Sequence, residues 1–173
     1  MACKNEAQAN LSWKPVFLTN NQANTIAEMA ETILPKTKTP GAKDIGVPQF
    51  IDKIVKETLS EKDKQDFVAG IKNFEDTCEK TYNKSFSACT QQEREAYLLK
   101  LDKEGNKFPP SAWGITLEAH PKPIPFYRKV KDLTLFGYFC SEKVAKELLA
   151  YDPIPGEFIG CMPLNGGNVW SGG

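Results

Sequence analysis

The stretch from Phe126 to Tyr151, FYRKVKDLTLFGYFCSEKVAKELLAY, is the longest helix-period apolar run in the chain and constrains the fold most. Val130, Leu133, Gly137, Cys140, Val144, Leu148 and Tyr151 follow one another at steps of three or four, the spacing of one helical stripe. Within LTLFGYFC, Leu135, Phe136, Tyr138 and Phe139 fall on other faces. The pattern therefore predicts one continuous helix, apolar nearly all round and the most buried of the fold. Gly137 in its middle costs about 1 kcal/mol against Ala, which close approach by a neighbouring helix would offset. Pro153 and Pro155 end the run.

Upstream, the periodic segments read as four further helices. The first covers Leu18 to Leu34, with Ile26, Met29, Ala30, Ile33 and Leu34 on one face, Thr19 or Asn20 as its N-cap, Phe17 or Leu18 as an entry staple, and Pro35 as its stop. A turn-rich connection leads to Pro48, which suits the first turn of a second helix, Gln49 to Leu59, turning Phe50, Ile51, Ile54, Val55 and Thr58 inward. Ser60 caps a third from Glu61 to about Tyr82, with Phe67, Gly70, Ile71, Phe74 and Cys78 in one stripe. Thr90 with Glu93 three residues on caps a fourth, Gln91 to Asp102, which buries Tyr97, Leu98 and Leu101. The prolines between Lys107 and Pro125 forbid a long helix there, and the segment after Tyr151 is Gly- and Pro-rich. The expected fold is all-α: a single-domain bundle of about five main helices over 17–173, with an irregular C-terminal tail and a flexible tether over 1–16.

At 173 residues the chain is long enough to bury about 70% of its unfolded surface and needs no cross-link to fold. Lys plus Arg and Asp plus Glu number 22 each and are interspersed, so no net field favours nucleic acid. No apolar run reaches the roughly 18 residues of a membrane span. Residues for chemistry are sparse. His120 is the only histidine, without a cysteine pair or acidic cluster at metal-ligand spacing, so it reads as a loop residue. No Gly-x-Ser-x-Gly elbow, P-loop or Gly-x-Gly-x-x-Gly pattern occurs, which leaves no recognisable catalytic, metal or cofactor site. Asp44, Asp52, Asp132 and Glu142 are explained as helix caps and surface ion pairs.

The cysteines are Cys3, Cys78, Cys89, Cys140 and Cys161, and none forms a C-x-x-C. Cys78 and Cys89 flank the turn between the third and fourth helices. In an exported protein they form a disulfide across it; in a cytosolic one they are buried thiols. Cys140, inside the long helix, reads as a small core residue. The start Met1-Ala2-Cys3, followed by a polar run to Asn10, has two readings of equal weight: the end of a bacterial lipoprotein signal with Cys3 as the lipidated residue, or an incidental cysteine.

Several stretches in order resemble subunit 3 of gluconate 2-dehydrogenase, the small subunit of bacterial flavin-dependent sugar and sugar-acid dehydrogenases. They are Ile33-Leu34-Pro35, Thr39-Pro40-Gly41-Ala42, Gly46-Val47, Phe50-Ile51-Asp52, Leu133-Thr134-Leu135-Phe136-Gly137-Tyr138-Phe139 with Ser141-Glu142, then Pro155-Gly156, Phe158 and Gly160-Cys161. The likeness spans most of Phe17 to Pro163 and is weakest between Lys62 and Pro125. It implies a non-catalytic accessory subunit, with FAD and the chemistry in a large GMC-type partner and a cytochrome c subunit carrying electrons onward. It also implies help in maturation or twin-arginine export, and a periplasmic or membrane-anchored location that a lipidated Cys3 fits. Cys161 then has three fates: pairing with Cys140, pairing with the partner, or none. Phe158, Ile159, Val169 and Trp170 in the tail are expected to dock on the partner or to pack back on the bundle. A free-standing exported binding or structural protein that kept the fold is the other reading.

Overall fold

A computed structural model describes residues 11–105 and 124–149. Among them are six α-helices and one 3-10 turn, and no strand: α1 Asn20–Ile33, α2 Val47–Thr58, α3 Glu61–Tyr82, the 3-10 turn Phe86–Ala88, α4 Gln91–Gly105, α5 Phe126–Phe139 and α6 Glu142–Glu147. The fold is a single-domain all-α bundle. Most helix starts are fixed by their caps. Thr19 accepts from the Gln22 N–H, while the Gln22 side chain accepts from the Thr19 N–H, which closes a capping box on α1. Ser60 does the same service for α3 through the Asp63 N–H. Thr90 and Glu93 form a second box on α4, at 2.7 Å from the Thr90 N–H to Glu93 and 3.3 Å back.

Glu93 also takes the Lys84 ammonium at 2.8 Å, and together with the Thr90 N–H this holds its carboxyl down at about 2. A depressed carboxylate contributes stability that is complete above its unfolded value near 4.5 and is lost as pH falls toward about 2. The gap in melting temperature between wild type and Glu93→Gln should therefore be widest above pH 4.5 and shrink through that window. A gap that stays constant from pH 6 to pH 2 would refute this, melting being followed by circular dichroism at about one-unit steps.

The core gathers Ile26, Met29 and Ala30 of α1, Ile51 and Val55 of α2, Phe67, Ile71 and Phe74 of α3, Tyr97 and Leu98 of α4, and Val130 of α5. Phe74 sits at its aromatic centre, with the Phe86 ring edge-on at 4.9 Å and the Tyr97 ring tilted at 5.1 Å, neither stacked face to face, as aromatic quadrupoles favour. The Tyr97 hydroxyl donates to the Phe74 carbonyl at 3.0 Å, so its buried polar tip is paired. Across α1 and α4, Arg94 pairs with Glu28 and donates to the Phe86 and Ser87 carbonyls, and Lys43 reaches the other Glu28 oxygen at 2.6 Å.

Four expectations are corrected. The run from Phe126 is not one helix. Ser141 breaks it: its hydroxyl accepts from the Val144 N–H, so it caps α6 as a separate helix, although the apolar stripe runs on through the break. Nor is this stretch the most buried, since α1 buries six residues to five in α5, and Phe136 and Phe139 face solvent. Cys140, at the break, is exposed rather than in the core. On α2 the inward set is right for Ile51 and Val55, half right for Phe50 and Ile54, and wrong for Thr58, whose hydroxyl turns back to the Ile54 carbonyl on the exposed side. Gly137, by contrast, does mark a close helix approach: a Cβ there would lie 2.6 Å from the Phe50 ring of α2.

Candidate partner-binding face

The loop between α1 and α2 is built around two carboxylates. Glu31, in the last turn of α1, accepts from the Lys36 N–H at 3.0 Å and the Lys43 N–H at 2.9 Å, pinning both ends of the loop to the helix that precedes it. Asp44 accepts from the Gly41 N–H at 3.1 Å and pairs with Lys36 at 3.2 Å; these contacts lower its pKa. Gly41 is required here because a Cβ would lie 2.3 Å from Glu31 Oε1 and 2.8 Å from the Lys36 backbone nitrogen. Gly46 starts α2 in the left-handed region, at φ 78°. The Tyr138 hydroxyl then donates to the Pro40 carbonyl at 2.8 Å, tying the loop to α5.

On α5 the run Phe136-Gly137-Tyr138-Phe139 divides by face. Gly137 and Tyr138 turn inward onto α2 and the loop, while Phe136 is 59% and Phe139 48% exposed. The Phe136 ring lies 6.0 Å from that of half-buried Phe50, and Phe139 stands edge-on to Tyr138 at 5.5 Å. The result is an aromatic surface on a scaffold held from behind by a hydrogen-bonded loop. Rigid aromatics of this kind supply large contact area at low entropic cost when a partner covers them.

Asp52 does something the sequence did not suggest. It is 1% exposed, and its carboxylate accepts from the N–H groups of Val16, Phe17 and Leu18 at 2.6, 3.2 and 2.8 Å. It thereby binds the segment entering α1 to the flank of α2, and Leu11 and Trp13 of that segment also pack on the core. Asp44 and Glu142 are ion-paired near the surface as expected, and Asp132 is exposed. One signal could have revealed Asp52: on a helical wheel it falls beside Pro48 and Val55, at the edge of the apolar stripe.

Among the described residues no group of three or more His, Cys, Asp or Glu is placed to hold a metal ion. No described helix is long and apolar enough to cross a membrane. An open cleft of about 560 Å³ beside α6 is lined by Glu142, Ala145, Lys146 and Leu149, and its two charged groups are paired with each other at 2.5 Å. Cys78 and Cys89 lie together in the core, their sulfurs 3.8 Å apart. Cys3, His120, Cys161, Phe158, Ile159, Val169 and Trp170 lie outside the described residues, so neither the tail docking set nor a Cys140 to Cys161 pair has a described geometry.

Fold and face together define a small all-α protein that offers a supported aromatic surface. The particular family follows from comparison with known ones: residues 20–156 match the family described as gluconate 2-dehydrogenase subunit 3, and the chain belongs to it. The match begins at the first residue of α1 and takes in all six helices. No curated protein and no solved structure matches.

Proposed function

We propose that this chain is a non-catalytic accessory subunit that docks on a flavin-dependent gluconate or sugar dehydrogenase large subunit and helps it mature or be exported to the periplasm. One observation carries the reading: the chain matches, over most of its length, a family described as one subunit of a dehydrogenase. In this reading FAD resides in the large subunit, a cytochrome c subunit takes the electrons, and this chain contributes surface. Phe136 and Phe139 support it, because two large exposed aromatics side by side on a braced helix are what a docking face needs at its centre.

Co-expression tests it. With the wild-type chain, the large subunit should be recovered folded, flavin-loaded and in complex with this chain. Phe136→Asp/Phe139→Asp should fold normally, because both rings face solvent, yet lower recovery of the complex by about tenfold or more. Recovery of active, exported large subunit that is the same with and without this chain would refute the accessory role. Flavin bound to the isolated chain would refute the non-catalytic reading.

A further inference from the structure

We infer that Cys78 and Cys89 are a cross-linking site, where a disulfide ties the end of α3 to the start of α4. Cys78 lies one turn before the end of α3 at Tyr82, and Cys89 directly follows the 3-10 turn that leads into α4. Their sulfurs are 3.8 Å apart and both residues are buried, at 0% and 5% exposure. A disulfide holds its sulfurs at about 2.05 Å, so the pair must close by less than roughly 2 Å. Two other uses of such a pair fail. Zinc needs about four ligands, and no third ligand joins these two among the described residues. A reactive redox pair needs an accessible, readily ionised thiol, whereas burial, the Cys89 thiol and the Glu75 and Glu93 carboxylates all keep Cys78 protonated.

A pair that is close, apolar and unreactive once folded suits a permanent cross-link made while the chain folds. Two S–H bonds break and one S–S bond forms. The two protons and two electrons pass to a small-molecule or protein disulfide, whose S–S bond breaks to leave two thiols. The bond closes a loop around the 3-10 turn, next to the Phe74, Phe86 and Tyr97 rings and to Arg94, which holds the Phe86 and Ser87 carbonyls. It would therefore fasten the one junction where α3 reverses into α4. This inference stands on the geometry of the pair and not on the docking role.

The test refolds the full chain in a mixture of reduced and oxidised glutathione and digests it with trypsin without reduction. Cleavage after Lys72, Lys80, Lys84 and Arg94 should yield the peptide Asn73 to Lys80 joined to the peptide Ser85 to Arg94. In a chain with Cys3, Cys140 and Cys161 changed to Ser, reduction should lower the melting temperature by about 5–10 °C. Cys78→Ala/Cys89→Ala on that background should melt alike with and without reductant. Should this variant not fold, the peptide map and the effect of reductant on the parent still decide. Both thiols free in the folded, oxidised protein, or either one joined to another cysteine, would overturn the assignment.

Discussion

Asp52→Ala should lower stability by about 4 kcal/mol, more than any other single change at a polar side chain of the described structure. The substitution removes a carboxylate that answers three backbone N–H groups. Hydrogen bonds to a charged acceptor contribute roughly 1.5–3 kcal/mol each, and donors left unpaired at a buried site add their own desolvation cost. Some of the sum returns, because the Val16 end is open enough for water to replace the carboxylate. Asp52→Asn discriminates further. Its amide offers one acceptor oxygen and turns an NH₂ toward N–H donors, so it should recover less than half of the loss. Urea unfolding of the three proteins measures the series, and an Asp52→Ala loss below about 1 kcal/mol would show that the entry segment does not depend on this carboxylate.

Gly137→Leu should cost about 3 kcal/mol through a different route, steric rather than polar. A Cβ at this position would stand 2.6, 3.1 and 3.3 Å from three atoms of the Phe50 ring, so α2 and α5 must separate or the ring must leave its place beside Phe136. The sign of a smaller change isolates this cause. Gly137→Ala should destabilise the wild type despite gaining about 1 kcal/mol in helix propensity. In a Phe50→Ala background the clash is gone, and the same change should become stabilising. If Gly137→Ala has the same effect in both backgrounds, the helices do not meet through this contact.

Much of the fold was legible because its signals are local. Thr19 with Gln22, Ser60 with Asp63, and Thr90 with Glu93 mark helix starts within four residues, and Gly137 in an apolar run announced a close approach before its neighbour was known. The break at Ser141 was not legible, since a serine cap competes there with an apolar stripe that continues to Val144 and Leu148, and local hydrogen bonding wins over periodicity. Burial of α5 was misjudged for a related reason. Apolar residues on every face are consistent with a central helix, but equally with one whose outer face is unpartnered within its own chain. Asp52 shows the other limit: its partners are backbone groups 34 to 36 residues away, which carry no sequence signature.

The hydrogen bond from Tyr138 to Pro40 spans 98 residues of sequence, and α5 packs chiefly on α2 and α1, across the whole length of α3 and α4. This arrangement is non-local, and it orders the events of folding. The α1 to α2 pair, closed by near neighbours, can form early, but it must hold an apolar flank open until the chain has been made as far as α5. On the ribosome that flank, with Phe50 at its centre, is the surface a chaperone would meet first, and a chain released before Phe126 would keep it uncovered.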